Sequence, residues 1–163
     1  PPLARCRQVG ILGLGELGRT CARYLHAAGF AVSGWSRRMK SLPDIACLAG
    51  DAGLNDLLSR AEILVLLLPL THETENILNA ETLARLPKGA FILNPGRGAL
   101  IDDAALISAL DRGQIAHATL DVFRTEPLPS DHPFWAHPAV TVTPHIASET
   151  RAETASDTSL QNH

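Results

Sequence analysis

The sequence predicts an α/β fold: a doubly wound parallel sheet of the Rossmann type with helices on both faces. Short apolar runs alternate with segments of helical periodicity along the chain, which is the pattern of repeated βαβ units. A G-x-G-x-x-G pattern, formed by Gly13, Gly15 and Gly18, lies between the first apolar run and the first helical segment. The length of 163 residues suits a single domain. We therefore expect one dinucleotide-binding domain over residues 1–163.

The first predicted unit is a strand, a glycine turn, a helix and a second strand. "RQVGIL" is an apolar run that leads into the glycines, and "FAVSGWS" alternates as a strand. Between them, "ELGRTCARYLHAAG" has apolar residues at helical spacing, namely Leu17, Cys21, Tyr24, Leu25 and Ala28. The two strands are expected to be parallel, because a crossover helix joins them.

The same alternation continues to the last strand. "LNDLLSRA" predicts a short helix, and "EILVLLLPL" a strand that is apolar on both faces, as in a sheet covered on both sides. The remaining elements are a helix in "ETLARLPKGA", a strand in "FILNPG", a helix in "DDAALISALDRGQ", a strand in "AHATLDVF" and a last strand in "AVTVTPH". The Pro-rich stretch "EPLPSDHPFWAHP" is a long connection, of the kind that often carries function or partner contacts.

Composition excludes several classes of protein. With 45% hydrophobic and 19% charged residues, the chain is typical of a globular protein. A net charge of -3 argues against a general nucleic-acid binder. The longest apolar run, "ILVLLLPL", is far too short to span a membrane. Three cysteines without C-x-x-C spacing suggest no disulfide framework, no metal site and a reducing, cytoplasmic setting.

The glycine pattern predicts a site for a dinucleotide. Gly13 allows a tight turn, Gly15 lets the backbone approach a pyrophosphate, and Gly18 lets the helix pack closely. The phosphates would lie at the helix N-terminus, where free N–H groups favour anions. Glycines also simply end strands, but the strand before the pattern and the helix and strand after it favour the dinucleotide.

The stretch "WSRRMK" predicts which nucleotide is bound. A dinucleotide site usually places an Asp or Glu here to bind a ribose hydroxyl, but this chain has Ser36, Arg37 and Arg38. A guanidinium group matches the oxygens of a 2′-phosphate, so we expect NADPH, with NADH also possible. The alternative is that the stretch is a solvated basic loop.

Three strand ends bring candidate catalytic residues to one edge of the sheet. Arg97 in "NPGRGALID" could bind a substrate carboxylate bidentately, or it could simply cap a neighbouring helix. His145 follows the last strand and could exchange a proton with an alcohol or carbonyl oxygen. An ionised Glu126 would orient its imidazole and stabilise the charged form. A histidine alone would be weak evidence, because most are structural.

Five ordered motifs carry a family resemblance. "GILGLGELG", "LLLPLTHET", "LNPGRGALID", "LDVFRTEPLP" and "VTVTPHIA" together resemble the cofactor-binding domain of the D-isomer-specific 2-hydroxyacid dehydrogenases. "GWSRRMK" and "EPLPSDHPFWAHPAVTVTPHIA" are most similar to the glyoxylate/hydroxypyruvate reductase branch. The resemblance covers about residues 7 to 152.

The resemblance implies a role for each matched residue. Arg97 would bind the carboxylate and carbonyl of a small 2-oxo acid such as glyoxylate or hydroxypyruvate, while His145 would be the acid/base and Glu126 its partner. NADPH would transfer a hydride to that acid. The glycine pattern, the basic stretch and the resemblance together give the candidate cofactor-binding residues, which are Gly13, Gly15, Glu16, Leu17, Gly18, Ser36, Arg37, Arg38, Leu68, Pro69, Thr74, Pro95, Gly96, Asp121 and Ala147.

Members of this family also carry a substrate domain, built mostly from residues before the first strand and closed by a C-terminal helix. Here about six residues precede that strand, and the chain ends "ETRAETASDTSLQNH", partway along the expected returning helix. We expect the substrate domain to be missing from this chain. On that expectation the chain binds NADP(H) but turns over substrate poorly or not at all, since domain closure completes such a site.

Two other functions and one assembly are compatible with the sequence. The chain could be a nicotinamide-nucleotide-sensing module, as in corepressors of this family, but such a sensor has no chemical need for the proton-transfer pair. A formate- or phosphoglycerate-type dehydrogenase is disfavoured by the basic stretch. The resemblance also implies a homodimer through the cofactor domain, with Phe134 and Trp135 at the contact; alternatively, these aromatics cover the domain's own core.

Overall fold

The computed structural model describes residues 4–147, which form one seven-stranded parallel sheet flanked by four α-helices. The strands are β1 (Gln8–Leu12), β2 (Ala31–Ser36), β3 (Ala46–Ala49), β4 (Ile63–Leu66), β5 (Ala90–Asn94), β6 (Ile115–Leu120) and β7 (Val140–Val142). The helices are α1 (Glu16–Ala27), α2 (Gly50–Arg60), α3 (Ala80–Arg85) and α4 (Asp103–Asp111). Short 3-10 helices cover Ala4–Cys6, Gly98–Leu100 and Pro133–Trp135. None of the described helices is long and apolar enough to cross a membrane.

The strand order is β3-β2-β1-β4-β5-β6-β7, and every neighbouring pair is parallel. The chain runs outward from β1 in one direction to β3, and then returns to start β4 on the other side of β1. Ligands of open α/β sheets bind in the crevice at such a reversal, outside the carboxyl ends of the strands. The predicted Rossmann-type doubly wound sheet is confirmed.

One face of the sheet is covered by α2, α3 and α4. Their fully or nearly fully buried leucines form a single core with the strands, and these leucines are Leu57, Leu58, Leu83, Leu106 and Leu110. Gly10 of β1 makes this packing possible, because a Cβ there would lie 2.6 Å from Leu57 Cδ2. The close approach seats α2 directly on the strand that leads into the glycine turn.

The second face is covered by α1, which packs over β1 and β2. The buried residues of α1 are Gly18 and Ala22, whereas Leu17 and Tyr24 of the predicted apolar stripe are exposed. Beyond β4 this face carries no helix within residues 4–147, and Phe91 and Leu93 of β5 remain 38% and 37% exposed. Both faces carry helices, as predicted, but the cover of the second face is partial in the described part of the chain.

Several element boundaries differ from the prediction. The short strand β3, "ACLA", was not predicted, because it lacks β-branched and aromatic residues. Helix α2 begins at Gly50, earlier than its apolar pattern suggests, since Gly50 and Gly53 weaken the helical signal. The expected returning helix after residue 148 lies outside the described residues.

The two aromatic residues of the Pro-rich connection behave differently. Phe134 is 2% exposed and belongs to the main core, whereas Trp135 is 55% exposed. The Trp135 indole donates a hydrogen bond to the Pro129 carbonyl at 2.9 Å. Phe134 therefore fits the interpretation that it covers the domain's own core, and only Trp135 is accessible to a partner.

Candidate cofactor and active site

A continuous groove crosses the carboxyl edge of the sheet. A cleft of about 460 Å³ lies between the end of β2, with Arg37, and the segment after β4. It shares Gly15 and Pro69 with a second cleft of about 270 Å³. The second cleft shares Arg97 with a third, of about 260 Å³, that reaches His145. The groove therefore connects the predicted phosphate site with the predicted catalytic residues.

The three motif glycines have different surroundings. Gly13 has a φ of 108°, and a Cβ there would lie 2.5 Å from the Leu67 carbonyl oxygen. A Cβ at Gly18 would lie 1.8 Å from the Gly13 carbonyl oxygen, so α1 packs directly against the turn. A Cβ at Gly15 would have no atom within 4 Å. Open space thus lies at the N-terminus of α1, beside the first-turn residues Glu16 and Leu17 that line the second cleft.

The end of β2 brings positive charge to the groove. Arg37, Arg38 and Lys40 all line the first cleft. Ser36 is buried, and its hydroxyl donates to the Arg38 carbonyl at 2.7 Å. This hydrogen bond of Ser36 therefore stabilises the conformation of the basic loop. The Arg37 guanidinium forms an ion pair with Glu73, which lies on the opposite wall of the cleft.

That opposite wall is the segment after β4, which contains Leu68 and Pro69. The buried Thr74 hydroxyl donates to the Pro69 carbonyl at 2.7 Å and accepts from the Thr71 N–H at 2.8 Å. These bonds close a compact turn, so Thr74 fixes the wall's shape as well as lining the cleft.

The loop that carries Arg97 is held by a buried amide. The Asn94 Oδ1 atom accepts from the Gly96 N–H at 3.1 Å, and its Nδ2 atom donates to the Arg97 carbonyl at 3.0 Å. Arg97 itself is exposed, and one guanidinium nitrogen donates to the Gly96 carbonyl at 2.7 Å. Pro95 and Gly96 line the second cleft beside it. Arg97 also lines the second and third clefts, so its other guanidinium donors could bind a carboxylate there.

His145 and Glu126 form a hydrogen-bonded pair. The imidazole Nδ1 lies 2.7 Å from Glu126 Oε2, and Glu126 Oε1 accepts from the Phe123 N–H at 2.9 Å. The Phe123 N–H lowers the pKa of Glu126 most; burial opposes this, and the charges of His145 and Arg97 add to it. Glu126 is therefore ionised at neutral pH. His145 has a φ of 55°, which is uncommon for residues other than glycine and occurs often at functional sites.

Asp121 anchors the segment that carries His145. Its buried carboxylate accepts hydrogen bonds from the Thr143 hydroxyl, from the Ile146 N–H at 3.0 Å and from the Ala147 N–H at 2.8 Å. Burial alone would raise the pKa of Asp121, but these bonds and the charge of His145 outweigh it, so the pKa is lowered. A carboxylate offers about four acceptor positions, so most of those of Asp121 are already used within the protein.

Two further observations bound the site. A larger cleft, of about 670 Å³, also reaches Glu126 and His145, but its other walls are mainly apolar, with Leu128 and Trp135 among them. Among residues 4–147, no cluster of three His, Cys, Asp or Glu side chains could hold a metal ion. The groove that meets the glycine turn is thus the more polar of the two, and its basic residues suit a nucleotide.

Comparison with known proteins identifies the family. A family model described as D-isomer specific 2-hydroxyacid dehydrogenase, NAD binding domain, matches residues 3–147. The chain belongs to this family. A relative from Serratia proteamaculans, glyoxylate/hydroxypyruvate reductase A, is 48% identical over 149 residues, which are 91% of this chain and 48% of the relative. The reductase A of Yersinia enterocolitica is 45% identical over 94% of this chain and 49% of its own.

Solved structures of the 2-hydroxyacid dehydrogenase family are also similar to this chain. An enzyme of this family from Xanthobacter autotrophicus, in complex with NADPH and MES, has a TM-score of 0.96 and 49% identity over 99% of this chain and 67% of that one. The NADPH-dependent glyoxylate/hydroxypyruvate reductase of Sinorhizobium meliloti, in complex with NADP and sulfate, has a TM-score of 0.86 and 41% identity over 90% of this chain and 48% of that one.

The predicted resemblance to the family and to its glyoxylate/hydroxypyruvate reductase branch is therefore confirmed. The chain spans about half the length of the curated relatives it matches.

Sequence reasoning missed three groups at the site of this 2-hydroxyacid dehydrogenase domain. Lys40 belongs to the basic stretch and could have been included. Glu73 and Arg124 gave no signal, because their partners lie far away in the sequence. Arg124 donates to the Ile101 carbonyl at 2.9 Å, to Glu75 at 3.2 Å and to the Asn76 side chain. It therefore ties the segment that follows Thr74, next to the wall of the first cleft, to the loops that carry the candidate catalytic residues.

A backbone contact joins the two loops that carry the candidate catalytic residues Arg97 and Glu126. A Cβ at Gly98 would lie 1.9 Å from the Phe123 carbonyl carbon. The loop that carries Arg97 therefore packs directly on the segment that leads to Glu126. Only glycine permits this approach, so Gly98 fixes the spacing of the candidate catalytic residues.

Proposed function

We propose that this chain is the cofactor-binding part of an NADPH-dependent oxidoreductase that reduces a small 2-oxo acid, such as glyoxylate or hydroxypyruvate. The observation that carries the proposal is the single groove joining the glycine turn and Arg37 to Arg97 and His145. Relatives named glyoxylate/hydroxypyruvate reductase, and structures in complex with NADPH or NADP, support it.

The groove has groups suited to each part of NADPH. The open space at Gly15, at the positive end of α1, suits the pyrophosphate. Arg37 and Arg38 suit the 2′-phosphate. The second cleft, at Pro95 and Gly96, leads from there toward the catalytic edge and would receive the nicotinamide end.

The chemistry at the catalytic edge follows from its hydrogen bonds. Bound NADPH would supply a hydride to the carbonyl carbon of the acid. Arg97 would bind the acid's carboxylate and orient its carbonyl group. Because Glu126 holds Nδ1 of His145, the other ring nitrogen, Nε2, is free to donate a proton to the carbonyl oxygen. The ionised Glu126 would hold the imidazole in place through this hydrogen bond.

The catalytic assignment has its own test. In a protein that joins this domain to a substrate domain, Glu126→Gln and His145→Asn should lower turnover of glyoxylate with NADPH by about 10²–10⁴-fold, while the dissociation constant of NADPH changes little. A His145→Asn variant with full turnover would contradict the assignment. The nucleotide-sensing alternative gains no support from the relatives, and the intact His145 and Glu126 pair disfavours it.

The nucleotide assignment is tested by titration. We expect NADPH to bind the chain more tightly than NADH, and Arg37→Ala to remove most of that difference, because each charge-assisted hydrogen bond contributes about 1.5–3 kcal/mol. The matched control is Arg60→Ala, which removes an exposed arginine on α2, away from the groove. Equal affinities for the two nucleotides, unchanged in Arg37→Ala, would remove the case for NADPH.

We also propose a homodimer through this domain and a cytoplasmic location. The exposed Trp135 supports a contact with a second copy, and the three cysteines, all free, fit a reducing compartment. Sedimentation of the chain and of Trp135→Ala tests the dimer: the variant should dissociate at higher concentration. A chain that is monomeric at every concentration would refute this contact.

A further inference from the structure

The structure places a carboxylate on the side of the cofactor cleft opposite the basic stretch. Glu73 lies in the turn closed by the Thr74 hydroxyl, and its carboxylate pairs with the Arg37 guanidinium across the cleft. Both side chains are largely exposed, at 60% for Glu73 and 66% for Arg37. The pair therefore bridges the mouth of the cleft, where a nucleotide would enter.

The charges around this cleft are unequal. Its lining includes Arg37, Arg38 and Lys40, but among the described residues Glu73 is its sole acid. The three cations would attract a phosphate of about −1.5 to −2 charge, whereas the one carboxylate would repel it. The acidic residue missing from the end of β2 is thus present on the other wall.

Glu73 acts differently on the two nucleotides. A 2′-phosphate competes with the Glu73 carboxylate for the Arg37 Nη1 group, and it is also repelled by the negative charge of that carboxylate nearby. A 2′-hydroxyl carries no charge and can donate a hydrogen bond to the same carboxylate, as in sites that bind NAD. Glu73 therefore works against NADPH and in favour of NADH.

We propose that Glu73 is a specificity-determining residue that limits the preference of this site for NADPH over NADH. This inference rests on the proposed function, because it assumes that the cleft binds these nucleotides. An exposed ion pair typically shifts an equilibrium by up to about fivefold. The preference of the Glu73→Gln variant for NADPH should therefore exceed that of the unmodified chain by about two- to fivefold.

The experiment measures dissociation constants of NADPH and NADH for the unmodified chain, Glu73→Gln and a matched control. The control is Glu81→Gln, which removes the same charge from an exposed residue on α3 that pairs with Arg85. Glu73→Gln should tighten the binding of NADPH and leave that of NADH unchanged or weaker, and Glu81→Gln should leave the ratio of the two dissociation constants as it is. If the ratio of the NADH and NADPH dissociation constants is unchanged in Glu73→Gln, or shifts in favour of NADH, the proposal is overturned.

Two further variants separate the inference from the function on which it rests. In an Arg37→Ala background the competition for Arg37 is gone and only the direct effects of the Glu73 carboxylate on the two nucleotides remain, so Glu73→Gln should improve NADPH selectivity less than it does in the unmodified chain. An effect of the same size in both backgrounds would overturn the role of the pair. If Arg37→Ala loses NADPH selectivity while Glu73→Gln changes nothing, only the inference fails. If neither nucleotide binds the unmodified chain, the proposed function fails and the inference fails with it.

Discussion

Gly15 and Gly18 belong to one motif, yet their replacement by alanine should have different effects: one on stability and the other on nucleotide binding. A Cβ at Gly18 would lie 1.8 Å from the Gly13 carbonyl oxygen, whereas one at Gly15 would have no atom within 4 Å. Gly18→Ala must therefore push α1 away from the turn. Gly15→Ala should leave the fold intact and place a methyl group where the pyrophosphate would approach.

The size of the Gly18 effect follows from this overlap. A Cβ atom essentially never lies within 3.0 Å of a non-bonded heavy atom of another part of the chain. The helix and the turn must therefore separate by about 1 Å. The obstacle is a backbone atom, which cannot rotate away as a side chain could. The loss of unfolding free energy should therefore lie at the upper end of the range for overpacked sites, about 3 kcal/mol. The higher helix propensity of alanine offsets about 1 kcal/mol. The net loss of about 2 kcal/mol lowers the melting temperature by about 4–8 °C for a chain of this size.

Gly15→Ala provides the contrast. Gly15 has a φ of −72°, which alanine adopts freely. Alanine reduces the entropy of the unfolded chain by about 0.4–1 kcal/mol, which offsets its weakness as an N-cap residue. Its melting temperature should stay within about 2 °C of the unmodified chain, since the net change in unfolding free energy is about 0.5 kcal/mol or less.

Circular dichroism melts and NADPH titrations of both variants test the reasoning. Gly18→Ala should melt early, and Gly15→Ala should melt normally but bind NADPH at least about tenfold more weakly, a loss of about 1.4 kcal/mol. A Gly18→Ala variant with unchanged melting temperature would refute the packing argument. A Gly15→Ala variant that binds NADPH normally would refute the placement of the pyrophosphate.

Two other predictions concern stability. The pKa values of Asp121 and Glu126 are lowered in the folded chain, so the unfolded chain binds protons at these groups more readily. Their contribution to the free energy of unfolding is therefore complete at neutral pH and is lost as pH falls below about 4. Melting temperatures measured from pH 7 to pH 3 should show this decline, and the decline should be smaller in Asp121→Asn. Leu57→Ala in the fully buried core should lower the free energy of unfolding by about 2–5 kcal/mol, measured by urea denaturation, whereas exposed Leu17→Ala should change it by less than about 0.5 kcal/mol.

The fold was predictable because its signals are local. Alternating strand and helix patterns, with a glycine turn after β1, determine a parallel sheet almost by themselves. The convergence of Arg97 and His145 also followed, since the carboxyl ends of parallel strands share one edge. Strand β3 was not predicted, because its four residues have no strong β propensity.

The site was less predictable where its contacts join distant segments. Nothing near Glu73 in the sequence indicates that it faces Arg37, because the two meet only through the pairing of β1 with both β2 and β4. Asp121 was expected among the cofactor-binding residues, and its hydrogen bonds to Ile146 and Ala147 depend on the exact path of the chain after β7. Side-chain partners of this kind follow from the tertiary fold, which local patterns do not encode.

The contact between Gly98 and Phe123 has a consequence for enzyme engineering. Because the two loops touch through their backbones, the distance between Arg97 and the pair of Glu126 and His145 cannot be widened by trimming a side chain. Under the proposed function, substitutions along this edge should therefore leave this spacing unchanged. A change in the size of the acid that is accepted would then have to come from residues elsewhere around the pocket.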